Sequence, residues 1–424
     1  MAPAAAAPQP ATADGIWRMD GYDTVLTIAD GHLQEYQTTA VSCVQGAVAN
    51  RTAPGTYSTA GGTVFTVRQP GTLRVAGSSG DRTLHRLAEL PQACRQPMAK
   101  DPLTAFDTFW QTFEENYPFF VAKGIDWHAV RDTFRPKVHA GTTRTELLSL
   151  FGDMVKPLYD AHVVVYDGDR FFVQIRPGTT LLTPELETKV KNHIVRRDLH
   201  GKKPQEFANG QVSYADLPGE QGYLRISAFG GFHPKDPSYA AQLAELDKAL
   251  NSILTAERTA SLKGLIIDVR TNGGGYEALG VRIAERLTDT PYLAYSRRTQ
   301  YTPPQPVRVT PEQGAPRYTG PVAVLTAGTT ISAAETFTQA LINRPGKTVR
   351  IGEPTQGVFS DVLERKLPND MAFWLPNEQL VTRSGHTFDG TGIPPHLRTP
   401  VFTPEEFDKN RDSAFDTAVA TLRR

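Results

Sequence analysis

The chain has 424 residues, long enough for two or three domains, and its 45 Lys+Arg are balanced by 45 Asp+Glu. That neutrality removes any electrostatic case for nucleic acid or an anionic membrane surface as partner. No apolar run reaches the length of a transmembrane helix, so no membrane span is expected.

The first 14 residues, rich in Ala and Pro, read as a disordered tail. They lack the basic start and apolar centre of a signal peptide, which suggests a mature secreted chain whose signal has been removed. Residues 15–96 carry short Thr/Val-rich runs (Thr24 to Ile28, Thr63 to Val67, Thr72 to Val75) separated by Asp30-Gly31, Gly61-Gly62, Pro70-Gly71 and Ser79-Gly80. This pattern predicts a small antiparallel β domain. Its two cysteines, Cys43 and Cys94, have no metal-ligand spacing, so a disulfide is expected, with two buried thiols as the alternative.

Residues 97–162 change texture. Phe106, Phe109, Trp110, Phe113 and Tyr117 recur at helical spacing up to Pro118, and helices follow over Trp127 to Phe134 and Thr143 to Leu158. The aromatic stripe reads as core packing. The third helix leads into Asp160-Ala-His162 ahead of a β-branched strand. Residues 167–220 are polar and resist assignment. From Gly222, strand and helix alternate: Gly222 to Phe229, Tyr239 to Ala256, Leu262 to Val269, Glu277 to Leu287, Val322 to Leu325, Val349 to Ile351 and Phe373 to Val381. That alternation predicts an α/β core over 163–400, followed by a C-terminal helix over 401–424.

Three places carry candidate chemistry. Ser332 stands where the strand starting at Val322 hands over to a helix, a position that sets a hydroxyl beside unpaired backbone N–H groups. Ser332-x-x-Glu335 is equally a capping box, in which the serine only closes the first turn. Gly273, Gly274 and Gly275 follow a strand and precede a helix, so their amides could face an anion. They are consecutive rather than spaced, which rules out a dinucleotide fingerprint. His162 and Asp389 read, singly, as a structural histidine and a turn aspartate.

Taken in order, the motifs say more. Asp-Val-Arg-Thr-Asn-Gly-Gly-Gly (268–275), Gly-Thr-Thr-Ile-Ser-Ala-Ala-Glu (328–335), Gly-Glu-Pro-Thr-x-Gly (352–357) and Asp-Gly-Thr-Gly-Ile-Pro-Pro (389–395) together resemble the carboxyl-terminal processing (tail-specific) serine proteases. The resemblance covers roughly residues 101–400. It implies a protease core of the ClpP/crotonase-like type with Ser332 as nucleophile, and an oxyanion hole from Gly273 or Gly274 together with Ala333. Many members place a lysine directly after the Gly-Glu-Pro-Thr-x-Gly motif, where this chain has Val358; Lys347 and Lys366 do not occupy that position. The tricorn-core-like branch instead uses a histidine and a carboxylate, which fall here on His162 and Asp389, with Glu378 as a fallback acid. No glycine-hydrophobic loop pattern of a PDZ domain lies between His162 and Gly222.

The expected function is hydrolysis of peptide bonds through an acyl-enzyme on Ser332, with His162 as base and Asp389 orienting it. A peptide or protein is the partner, and no metal or organic cofactor is required. Two rivals remain on the same scaffold: a non-catalytic apolar-ligand or peptide-binding protein, and an esterase or acyl transferase using the same triad. Oligomeric state leaves no trace in the sequence.

Overall fold

The computed structural model describes residues 13–68 and 71–423. Most of the expected Ala/Pro tail and Pro70 of the Pro70-Gly71 turn lie outside the described residues.

In the first ninety residues, alternation of period two sets the architecture. Eight antiparallel strands run from Gly15–Met19 to Arg82–Leu87, and the last pairs with the first, closing a barrel. One face of each strand fills the interior with Trp17, Leu26, Ile28, Leu33, Tyr57, Leu73 and Leu84. Asp30 (φ 52°) and Gly31 (φ 81°) both take left-handed backbone, the two-residue hairpin that the Asp-Gly pair predicts. Cys43 and Cys94 form a disulfide, tying the barrel to the segment that leaves it.

Asp101 caps the helix Pro102–Asn116 by accepting the Leu103 and Thr104 amides at 3.0 Å each. Its aromatic stripe is buried, as expected of core packing. Phe109 stacks on Phe151 of the helix Arg144–Val155 and meets Phe373 edge-on. Phe373 belongs to a four-stranded antiparallel sheet ordered Arg170–Val173, Val164–Asp167, Ala372–Pro376, Val362–Lys366. The helices and this sheet therefore share one apolar core.

The α/β core is a seven-stranded sheet. Its order is Gln205–Phe207, Val212–Leu217, Gln221–Ile226, Gly264–Asp268, Val322–Thr326, Thr348–Gly352, Leu397–Arg398, and it is parallel from the third strand onward. Residues of helices Tyr239–Ile253, Glu277–Glu285 and Ala333–Ala340 pack with one face of it. Pro184–His193 and Ser413–Leu422 pack with the other. The polar stretch after residue 167 thus contributes a strand, a helix and the antiparallel edge of this sheet.

Two expectations need correction. The run Phe373 to Val381 is not one strand but two, Ala372–Pro376 and Gln379–Val381, in different sheets. Between them Asn377 donates to the Gly21 carbonyl of the barrel at 3.1 Å and the Glu378 amide to Ser360 Oγ at 3.1 Å, which turns the chain. The C-terminal helix is likewise two, Pro404–Asp408 and Ser413–Leu422, each opened by its own cap, Thr403 and Asp412.

Candidate active site

Three loops meet at the C-terminal ends of the parallel strands, where open α/β sheets place their ligand crevices. Ser332 lies on the second, at φ 60° and ψ −121°. Ser332 is the N-cap of the helix Ala333–Ala340 and forms a capping box with Glu335. An ordinary N-cap has extended backbone with negative φ, whereas this one has the strained backbone of a turn that lifts a side chain clear of the chain. The strain is held from several sides. The Ser332 amide donates to the Val358 carbonyl and to Glu335 Oε2, both at 3.1 Å. Thr330 Oγ1 donates to the Val269 carbonyl at 2.8 Å, and the Ile331 amide to the Asn272 carbonyl at 2.9 Å. Glu335 is fully buried and accepts the Gly357 and Val358 amides at 2.6 and 2.9 Å; burial pushes its carboxyl up to about 8 against those bonds.

The glycine loop fits against this turn. A Cβ on Gly274 would lie 2.6 Å from Ser332 Cβ, so only glycine permits the approach, and its φ of 92° favours glycine as well. Of the three expected oxyanion donors, the Gly274 amide is already engaged by Asn272 Oδ1 at 2.9 Å. The amides of Gly273 and Ala333 take part in no hydrogen bond among the described residues.

His162 reaches the site from the loop before the strand Val164–Asp167. Asp160 shapes that loop: its Oδ1 accepts the His162 amide at 3.0 Å and its Oδ2 the Tyr117 hydroxyl at 2.8 Å. Burial lowers the imidazole pKa, and Asp160, Asp361 and the Ser360 carbonyl oppose that shift. Its Nδ1 is buried without a hydrogen-bond partner among the described residues. Asp389 accepts the Phe359 amide on Oδ1 at 3.3 Å and the Thr387 hydroxyl on Oδ2 at 2.7 Å. Burial pushes this carboxyl up to about 7, with Asp160 adding to the rise.

Ser332, Asp389 and His162 thus all adjoin one short segment, at Val358, Phe359 and Ser360 in turn. No hydrogen bond joins the three side chains to one another among the described residues. Glu378, the fallback acid, is engaged elsewhere: Tyr22 of the barrel donates to it, and Arg297 and Arg82 lie 3.5 and 3.7 Å away. Asp160 and Asp361 entered no expectation as working groups. The Asp-x-His spacing was a visible signal for the first; the second depends on tertiary contacts alone. No three His, Cys, Asp or Glu side chains among the described residues are grouped as metal ligands would be.

Residues 220–399 match the family model of peptidase family S41, and residues 98–156 that of the tricorn protease C1 domain. No curated protein matches the chain significantly. Among solved structures, a candidate peptidase from Parabacteroides merdae ATCC 43184 is similar at 23% identity and TM-score 0.63, over 76% of this chain and 97% of that one. Mature CPAF complexed with lactacystin is similar at 14% identity and TM-score 0.51, over 76% and 97%. These likenesses concern the fold; the matched models cover the helical region and the α/β core with its three loops. Residues 220–399 are thus a peptidase family S41 region, and the chain is a serine peptidase.

Proposed function

We propose that Ser332 is the nucleophile of this peptidase, with His162 as its base, Asp389 as the acid behind the base, and the Gly273 and Ala333 amides as the oxyanion hole. The observation that carries this reading is the positive φ of Ser332 at a strand-to-helix turn. Capping a helix requires no such strain, whereas presenting a hydroxyl beside unpaired amides does.

In this reading Ser332 Oγ attacks the peptide carbonyl as its proton passes to the imidazole. The developing oxyanion is met by the Gly273 and Ala333 N–H groups, and removal of one such donor typically costs about 3 kcal/mol. His162 then delivers the proton to the leaving amine, and water cleaves the acyl-enzyme by the reverse sequence. The lowered imidazole pKa keeps the ring neutral, and so able to accept a proton, at neutral pH. An ionised Asp389 would favour the imidazolium that forms. The side-chain bonds of the triad close when substrate displaces solvent, since catalytic hydrogen bonds are often loose in a free enzyme.

The disulfide fits an oxidising compartment, and no helix among the described residues is long and apolar enough to cross a membrane. An extracellular site of action is in keeping with both. The test is turnover of a casein or mixed-peptide substrate by wild type and Ser332→Ala. A loss on the order of a million-fold in kcat is expected, as for removal of a triad serine. Substantial residual hydrolysis would assign the nucleophile to another residue.

A further inference from the structure

The barrel takes no part in the chemistry above, yet it packs against the site. Its segment 75–82 docks on the helix that follows the glycine run. The Ala278 amide donates to the Gly77 carbonyl at 3.0 Å and the Ser79 amide to Glu277 Oε2 at 2.9 Å. A Cβ on Gly77 would lie 2.2 Å from the Tyr276 ring. On the opposite side, Ser78 Oγ donates to Asp361 Oδ2 at 2.5 Å, and Arg82 stands 3.6 Å from the same carboxylate.

Between these two contacts a cleft of about 370 Å³ stays open. Gly275, the neighbour of the glycine that approaches Ser332, lines it. So does Asp361, the neighbour of Ser360, whose carbonyl acts on His162. The cleft is therefore lined by residues adjacent in the chain to both halves of the site.

Its chemistry is specific. Val75, Val362 and Tyr276 line it with apolar surface, and the Asp361 side chain is 34% exposed. Arg82, Glu277 and Asp361 line it as well, and belong to a charge network that Glu378 and Arg297 complete. Fully ionised, that network is one positive charge short. Glu277 is pushed up to about 7, chiefly by burial and secondarily by Asp361. A long side chain with an aliphatic stem and a cationic end would pack on the walls, lie against the Tyr276 ring and supply the missing charge.

We propose that this cleft is a substrate subsite that takes a lysine or arginine side chain, with Asp361 as its specificity-determining carboxylate and the barrel as one wall of the substrate groove. The proposal rests on the serine peptidase reading of Ser332. Fluorogenic peptides paired to differ only in lysine against norleucine, at each position around the scissile bond, test it. At one position lysine should raise kcat/KM about tenfold over norleucine, the sum of a partly shielded ion pair and a cation–π contact. Asp361→Asn should bring that ratio close to one, and Asp361→Glu should retain part of it. Val75→Lys, which places an ammonium of the chain itself in the cleft, should also abolish the preference. Equal turnover of both peptides by wild type at every position, or an equal loss on both in Asp361→Asn, overturns the subsite. Labelling of the same samples by a fluorophosphonate separates the two ideas: a labelled enzyme without basic preference sinks the subsite alone, and an unlabelled one sinks the nucleophile with it.

Discussion

The proposed nucleophile side of the site and the proposed acid–base side are built differently. Around Ser332 and Gly274 the backbone does the holding: loops following two parallel strands, and the segment at Val358, are cross-bonded through main-chain groups and the buried Glu335 carboxylate. Around His162 and Asp389 the contacts are with side chains two residues away, Asp160 and Thr387, and with the Phe359 amide, and His162 Nδ1 has no partner among the described residues. Strained backbone persists only where its surroundings over-determine it. The Ser332 side is therefore fixed by its own frame, whereas the His162 side has fewer bonds to hold it.

The contrast can be broken most severely at Gly274. In Gly274→Ala the new Cβ meets Ser332 Cβ at 2.6 Å on a left-handed backbone, so the serine must move. A displacement on the order of 1 Å at a reacting group lowers kcat roughly a hundredfold, and steady-state kinetics with unchanged thermal unfolding would show it. A near-normal kcat would mean the turn is not held as tightly as its hydrogen bonds indicate.

A milder perturbation sharpens the other side. Asp389 carries its proton below about pH 7 and loses it above, so it can favour imidazolium only on the alkaline side of that value. The kcat profile of wild type should rise through about pH 7. Asp389→Asn should flatten that limb and lower the plateau by more than tenfold, within the roughly 10⁴-fold span that bounds loss of a triad acid. An unchanged profile in the variant would move the acid role to another carboxylate, with Asp160 next in place.

The smallest effect on turnover is expected farthest from the site. Opening the Cys43–Cys94 link with a Cys43→Ser, Cys94→Ser pair removes closure of a 51-residue separation. In the chain-entropy account this lowers stability by about 4 kcal/mol, read as a drop in denaturation midpoint, while kcat stays unchanged. A parallel loss of kcat in still-folded protein would tie the barrel to the chemistry itself.

How far the sequence disclosed this arrangement follows the same divide. Local signals were legible: Asp30-Gly31 as a hairpin, the aromatic stripe as core, and the strand-to-helix position of Ser332. The order of the four glycine-containing motifs pointed to the loops that meet. Features set by distant partners were not legible. Closure of the barrel depends on pairing Gly15–Met19 with Arg82–Leu87, far apart in the chain. The two-strand split at Asn377 depends on contacts with Gly21 and Ser360. Which glycine amide remains free depends on where Asn272 turns its side chain. Asp361 gained its place only once the barrel was docked.

The central claim is that Ser332 is a pre-set nucleophile served by His162. Intact-mass analysis after treatment with a fluorophosphonate, on wild type, Ser332→Ala and His162→Ala, tests it most directly. A single adduct is expected on wild type, none on Ser332→Ala, and labelling slowed by orders of magnitude on His162→Ala. An adduct that persists on Ser332→Ala, or well-folded wild type that takes none, would contradict it.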